Sequence, residues 1–220
     1  MDIVVDFFAG SGSTGHAVLL QNAIDSGNRH FVCTQLPEPL PVPQNSLKTI
    51  ADITKERLRS AIKARSDSRA SELPMSGQDI EDLGFRTFCL AGSNFAPWSG
   101  TQAEGSASSL ETQLELHISH IQSGRSAEEI LYEVLLKSGF SLTTHVETLP
   151  LLGKSVFSVA GGAMLICLER ELTHDMIKSM ADLHPERVVC LDEGFAGNDQ
   201  LKTNAVQTMK ARGVTSFRTV

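Results

Sequence analysis

No run of this chain reaches the ~18 consecutive apolar residues that a bilayer-spanning helix requires. The first residues carry an Asp and no basic segment, so they do not read as a secretory signal. These two absences give the expectation of a cytoplasmic protein with no membrane partner. Cysteines are few and dispersed: Cys33, Cys89, Cys167 and Cys190 form no C-x-x-C pair. Each lies in an apolar, strand-like run, which points to buried free thiols rather than a disulfide framework or a zinc site. His117 and His120 stand three apart on an expected helix, but no third ligand is near them in sequence, so no metal site is assigned. Aromatic residues make up 5% of the chain, with a single Trp (Trp98) and a single Tyr (Tyr132). Both are read as packing residues rather than stacking platforms. A basic surplus is also missing. Net charge is −7, whereas a self-sufficient DNA-binding domain gains much of its affinity by neutralising phosphates. If the chain serves DNA chemistry, most of the DNA contacts lie outside it or on one local patch.

What the sequence does contain begins at once. Residues 3–8 (Ile-Val-Val-Asp-Phe-Phe) read as a short buried strand. A Gly/Ser loop follows, and then apolar residues Ala17, Val18, Leu20 and Ala23 recur at helical spacing from Thr14 onward. His30 to Gln35 reads as a second strand. Strand, Gly-rich loop, helix and strand make a βαβ unit with two parallel strands. Pro37, Pro39, Pro41 and Pro43 then argue against regular structure. Ser46 to Lys63 has the apolar spacing of a helix, ringed by Lys55, Arg57, Arg59, Lys63 and Arg65. A solvated face is the plain reading of those charges, and a phosphate-facing patch the sharper one.

Residues 64–82 are polar, unpatterned over most of their length and read as a linker between residues 1–63 and a second region, 83–220. In that region Phe85–Leu90 is expected as a strand, 99–109 as a loop and 110–121 as an amphipathic helix. Ser126-Ala127-Glu128-Glu129 is a capping box that opens a helix through Lys137, with Gly139 beyond its end. Ala160-Gly161-Gly162-Ala163 joins two apolar runs and predicts a hairpin. A helix from Thr173, a strand at 188–191, a helix capped by Asn198 and a closing strand at 216–220 complete the reading. The fold class is α/β: a partial Rossmann-like βαβ unit followed by a smaller mixed α/β domain. Glu169, Asp192 and Glu193 fall near strand ends, where carboxylates could hold a metal, although solvated strand ends explain them sufficiently.

Gly10, Gly12 and Gly15 match G-x-G-x-x-G in the required context, after a strand and at the start of a helix. No Gly-Lys-Ser/Thr follows, so this is not a phosphate loop of the Walker type. A dinucleotide site usually has an acidic residue at the end of the second strand for the ribose. Gln35 stands there instead. Asp6, at the tip of the first strand, would repel a pyrophosphate. It suits a cationic ligand such as the ammonium and sulfonium of S-adenosylmethionine. A dinucleotide-dependent oxidoreductase and a non-catalytic interaction module with a vestigial loop remain as alternatives.

The run Asp6-x-Phe8-x-Gly10-Ser11-Gly12-Ser13-Thr14-Gly15 resembles the cofactor motif of permuted DNA amino-methyltransferases, usually Asp-x-Phe-x-Gly-Ser-Gly-Thr-Thr. With Asn22, Gly27-Asn28-Arg29 and Gln35-Leu36-Pro37-Glu38-Pro39, it resembles more specifically the modification (Mod) subunit of type III restriction–modification systems, an adenine-N6 methyltransferase. Residues 131–140 and 190–199 resemble that family's C-terminal region. The resemblance implies that Asp6, Phe8, Ala9, Gly10, Ser11 and Gly12 surround the methionine and sugar of S-adenosylmethionine. Ser13 and Thr14 would sit at the helix N-terminus, and Gln35 in the ribose-binding place. It also implies DNA, a restriction subunit and a second Mod copy as partners of the complete enzyme. The family's catalytic Asp-Pro-Pro-Tyr, which precedes the cofactor motif and receives the flipped base, has no counterpart here. Asn94-Phe95-Ala96-Pro97-Trp98 is only superficially similar. No catalytic residue is therefore assigned. The chain is expected to be the C-terminal, cofactor-binding portion of a longer enzyme, inactive alone.

Overall fold

The computed structural model describes residues 2–44, 46–71, 82–96 and 121–220. The chain divides into two compact units, Met1–Thr87 and Phe88–Val220, the second being the longer rather than the smaller.

The first unit is built on β1 (Ile3–Asp6), α1 (Ser13–Asp25) and β2 (His30–Cys33). The two strands pair in parallel, from Ile3 opposite His30 to Asp6 opposite Cys33. Parallel strands need a crossover, and α1 supplies it. The turn back into β2 is closed by Asn22, whose amide donates to the Arg29 carbonyl (2.9 Å) and accepts from the Arg29 N–H (3.1 Å). Side chains alternate across the pleat. Ile3, Val5 and Val32 share one face and are exposed. On α1, Gly15, Val18 and Leu19 are buried.

The proline run is not irregular. Pro39–Gln44 forms β3, paired antiparallel with β4 (Leu47–Thr49). Pro39, Pro41 and Pro43 alternate, so their three missing N–H donors fall along one edge, and proline's fixed φ suits an extended edge strand. Next comes α2 (Ile50–Ser71), which runs past Lys63 into the stretch expected as linker. Ala64, Arg65 and Arg69 are good helix formers, and the Ser68 hydroxyl donates back to the Ala64 carbonyl within the helix (2.9 Å).

No strand forms at Phe85–Leu90, where the first unit passes into the second; residues 82–93 carry no regular structure. This explains why Cys89 is exposed instead of buried, and Cys33 is only half-buried at the end of β2. The expected loop 99–109 and most of the expected helix 110–121, with His117 and His120, lie outside the described residues; so do Pro97 and Trp98. Ile121 makes an antiparallel bridge to Phe95.

α3 (Ala127–Lys137) begins with the expected box: Ser126 accepts from the Glu129 N–H, and the Glu129 side chain accepts from the Ser126 N–H. Five strands follow: β5 (Val146–Leu151), β6 (Lys154–Val159), β7 (Met164–Cys167), β8 (Arg187–Cys190) and β9 (Ser216–Thr219), with α4 (His174–Ala181) and α5 (Asp199–Ala211) as crossovers. They lie in the sheet in chain order, β5-β6-β7-β8-β9. The first two pairings are antiparallel and the last two parallel. Both hairpins turn on left-handed backbone, at Leu152 and Gly153 (φ 50° and 77°) and at Ala160, Gly161 and Gly162 (φ 52°, 68° and 95°). Asn198 and Thr173 cap α5 and α4 through their side chains.

Alternation along the strands makes two cores. Leu165, Cys167, Val188 and Cys190 face α4 and α5, through Met176, Ile177, Met180, Ala205 and Met209. Met164, Ile166 and Val189 face α3, through Ile130, Leu131, Val134 and Leu135. The second unit is thus an α/β/α layered domain. Tyr132 packs edge-on against Phe88, with ring centroids 5.0 Å apart.

Candidate functional site

The loop between β1 and α1 is fixed by side chains from three separate elements. Asp6, the last residue of β1, accepts the Phe8 N–H (3.0 Å) on one carboxylate oxygen and the Thr14 hydroxyl (2.5 Å) on the other. The Thr14 hydroxyl, then the Phe8 N–H, hold the Asp6 carboxyl below the usual carboxylate range, so it is ionised at neutral pH. Beyond β2, Gln35 accepts the Gly10 N–H through its amide oxygen (2.8 Å) and donates its amide N–H to the Leu36 carbonyl (3.2 Å). From α2, the Thr54 hydroxyl donates to the Gly10 carbonyl (2.5 Å). The Gly10 residue is therefore gripped at both backbone ends. The parallel ladder extends under the loop through Thr34 N–H to Asp6 carbonyl (2.8 Å) and Ala9 N–H to Thr34 carbonyl (3.1 Å).

Two glycines serve different ends. Gly12 has φ +79°, and a Cβ there would lie 2.9 Å from the Thr54 methyl. Close approach of α2 requires it. Gly10 has φ +52°, but a Cβ there would meet only the Phe8 carbonyl, at 3.8 Å. The space on its side-chain side is open. Gly12 is also the N-cap of α1 and offers no side-chain cap. The Gly15 N–H meets the Cys33 thiol, and the Ser13 and Thr14 N–H groups have no acceptor within the helix.

Beside the loop is a cleft of about 510 Å³, lined by Phe7, Phe8, Gly10, Thr34, Gln35, Leu36, Glu38 and Ile50. Of the residues expected at the site, Phe8, Gly10 and Gln35 line it. Asp6 and Thr14 are not among the lining residues; they fasten the loop. Ala9 and Gly12 are buried, Ser11 is half-buried and Ser13 is exposed. Two residues were not singled out from sequence. Thr54 is a buried hydroxyl between Ile50 and Leu58 on the apolar stripe of α2, and a polar residue at that spacing is the signal that could have found it. Glu38 gave no signal beyond its place in a Gln-Leu-Pro-Glu-Pro run.

Other candidates are occupied with structure. Glu169 accepts the Ser155 N–H (3.1 Å), Glu193 pairs with Arg170 (3.6 Å) and Asp192 pairs with Lys202. Among the described residues no group of three His, Cys, Asp or Glu could hold a metal ion. Asn94 is buried and donates its side-chain N–H to the Glu129 carbonyl (2.9 Å). On α2, Lys55 pairs with Asp52 (2.7 Å) and Arg59 lies 3.9 Å from Glu56, as expected of a solvated helix face. No helix among the described residues is long and apolar enough to cross a membrane.

No protein-family model matches the chain. It is 27% identical over 197 residues, 80% of its length, to the StyLTI Mod subunit, a type III restriction-modification enzyme of Salmonella typhimurium. It is 44% identical over 69 residues, 30% of its length, to the EcoP15I Mod subunit of Escherichia coli. This is a Mod-subunit-like chain. Over 60 residues, 26% of its length, the Mod-like chain is also 37% identical to the type II methyltransferase M.KpnI of Klebsiella pneumoniae. The Mod-like chain spans 30% of the StyLTI subunit's length, 11% of the EcoP15I subunit's and 14% of M.KpnI's.

Proposed function

We propose that this chain carries the S-adenosylmethionine site of a type III Mod-type DNA methyltransferase, acting on the adenine N6 amino group when the enzyme is complete. The observation that carries the reading is the doubly gripped Gly10, which holds an open backbone surface beside an ionised Asp6 and an uncapped helix start. The cofactor fits these groups. Its ammonium and sulfonium are cations, which Asp6 attracts. Its carboxylate is an anion, which a helix N-terminus favours. Its adenine is flat and apolar-faced, and Phe7, Phe8 and Leu36 give the cleft exposed apolar walls. Bound, the cofactor supplies an electrophilic methyl group; the residues here bind and orient it.

Transfer needs groups this chain does not bring. No Asp-Pro-Pro-Tyr occurs in its sequence, and one face of the β1–β2 sheet is bare, with Ile3, Val5 and Val32 exposed. Parallel sheets are normally covered on both faces. We assign the cover to the rest of the methyltransferase domain, which would bring the amino-group acceptors and the target-reading segment. Residues 1–63 are then the cofactor-binding part, 64–82 a connection through the end of α2, and 83–220 an accessory domain for a second Mod copy or a restriction subunit. DNA is reached through the complete, cytoplasmic enzyme.

The test is cofactor binding by the full 220-residue chain, measured by saturation-transfer NMR with S-adenosylhomocysteine, together with a labelled-methyl assay. Weak binding is expected, lost in Asp6→Ala and Gly10→Leu, with no methyl incorporation into DNA. Undiminished binding in both variants would refute the loop assignment, and methyl incorporation by this chain would refute its dependence on the missing groups.

A further inference from the structure

We infer that Glu38, not Gln35, receives the vicinal ribose hydroxyls of the bound nucleoside, and that Gln35 is the latch that holds the Gly10 peptide in place. The inference rests on the S-adenosylmethionine reading above and sharpens one part of it.

The position after the second strand is where a nucleoside-binding α/β unit presents an acceptor to the sugar. Here that position is Gln35, and its amide is already committed at both ends. The oxygen accepts the Gly10 N–H at 2.8 Å and the nitrogen donates to the Leu36 carbonyl at 3.2 Å. Turning Gln35 toward a sugar would strip Gly10 of its N–H partner, and Gly10 is the residue the ligand must approach. Asp6 is committed in the same way, to Phe8 and Thr14.

Glu38 is the one carboxylate among the cleft-lining residues, and no side-chain hydrogen bond or ion pair engages it among the described residues. An ionised carboxylate has about four acceptor sites and can take two hydroxyl donors at once. Gln35 could offer one acceptor at most without releasing Gly10. Hydrogen bonds to a charged acceptor are also the stronger kind. The backbone presents Glu38 firmly. Pro37 precedes it and Pro39 follows it, so the residue is restricted to extended conformations. Its carbonyl accepts the Ile50 N–H at 3.0 Å, tying it to the first residue of α2. The carboxylate thus stands on a fixed backbone support in the lining of the same cleft as Gly10, whereas the glutamine three residues earlier belongs to the loop's own frame.

The experiment compares S-adenosylhomocysteine with its 2′,3′-dideoxy analogue, each titrated into the full chain, Glu38→Gln and Gly10→Leu by saturation-transfer NMR. The wild-type chain is expected to favour the hydroxylated ligand about tenfold, the size of one charge-assisted hydrogen bond. Glu38→Gln is expected to weaken that ligand about tenfold while leaving the dideoxy analogue unchanged. If Glu38→Gln binds both ligands as the wild type does while Gly10→Leu binds neither, the cofactor loop stands and the role of Glu38 falls. If the wild-type chain binds neither ligand, the cofactor reading itself falls, and Glu38 with it. A Gln35→Ala chain gives the separate readout for the latch: its Gly10 amide proton exchanges with solvent faster, whereas in Glu38→Gln it does not.

Discussion

Gly10 and Gly12 both have left-handed backbone, yet they carry different burdens. At Gly12 a methyl group meets the Thr54 side chain at 2.9 Å and the Thr54 carbonyl at 3.2 Å. At Gly10 it meets nothing closer than 3.8 Å. Gly12→Ala should therefore cost the left-handed penalty plus overpacking, about 2–4 kcal/mol together, and Gly10→Ala the left-handed penalty alone, about 1–2 kcal/mol. Urea unfolding of the two variants checks the order. An equal cost would show that Thr54 does not press on the loop. The glycines themselves were legible in the sequence, because strand, Gly-x-Gly and helix occur in the right succession. Which neighbour demands which glycine was not legible. Thr54 lies on a different helix, and nothing local in the chain announces that its hydroxyl reaches Gly10. The same holds for Gln35. Its position named it as a sugar ligand, but only the fold reveals that its oxygen is already taken.

At the level of elements, the reading succeeded where the chain punctuates itself. Ser126 with Glu129, Asn198, and the Gly161-Gly162 pair each act within a few residues, so their capping and turning roles are visible locally. It failed where an edge decides. Pro150 and Glu147 conceal β5, and Pro39, Pro41 and Pro43 conceal β3, because a strand with one free edge tolerates residues that an inner strand rejects. The opposite error came at Phe85–Leu90, a run with no partner strand among the described residues. What orders its continuation is a side chain: Glu133 on α3 accepts the Ser93 hydroxyl (2.5 Å) and the Asn94 N–H (2.6 Å) and pairs with Lys137 (2.8 Å). Burial alone would raise the Glu133 pKa, but Lys137, Ser93 and Asn94 outweigh it and bring the group down to about 2 from 4.5. A depressed carboxylate contributes stability that is present above its unfolded pKa and lost as pH falls through the folded value. The attachment of residues 93–94 to α3 should hold at neutral pH and loosen between about pH 4.5 and about pH 2. Hydrogen exchange at the Asn94 amide follows this. Glu133→Gln should raise exchange at neutral pH and flatten its acid dependence; an unchanged profile would remove Glu133 from the account.

Taken whole, the molecule is two units of unequal finish. The second has both faces of its sheet covered, by α3 on one side and by α4 and α5 on the other. The first has helices but leaves Ile3, Val5 and Val32 at 60%, 48% and 50% exposure on a parallel sheet. If the rest of a methyltransferase domain covers that face, co-expression with such a segment should slow hydrogen exchange at residues 3–6 and reduce binding of a hydrophobic dye to the full chain. The amides of β7 and β8 serve as the internal control, since they are already enclosed. Equal exchange at residues 3–6 with and without the segment would place the cover elsewhere.

The order β5-β6-β7-β8-β9 carries one more consequence, and it concerns time rather than energy. Every strand of that sheet finds its partner in the next strand along the chain. No strand waits for a distant segment, and each loop to be closed is short or spanned by a helix, so the entropy lost before each pairing is repaid is small. Folding rate falls as contacts become more distant in sequence. The second unit can therefore assemble by stepwise addition from the β5–β6 hairpin outward, and none of its strand pairings waits on the half-covered unit that precedes it.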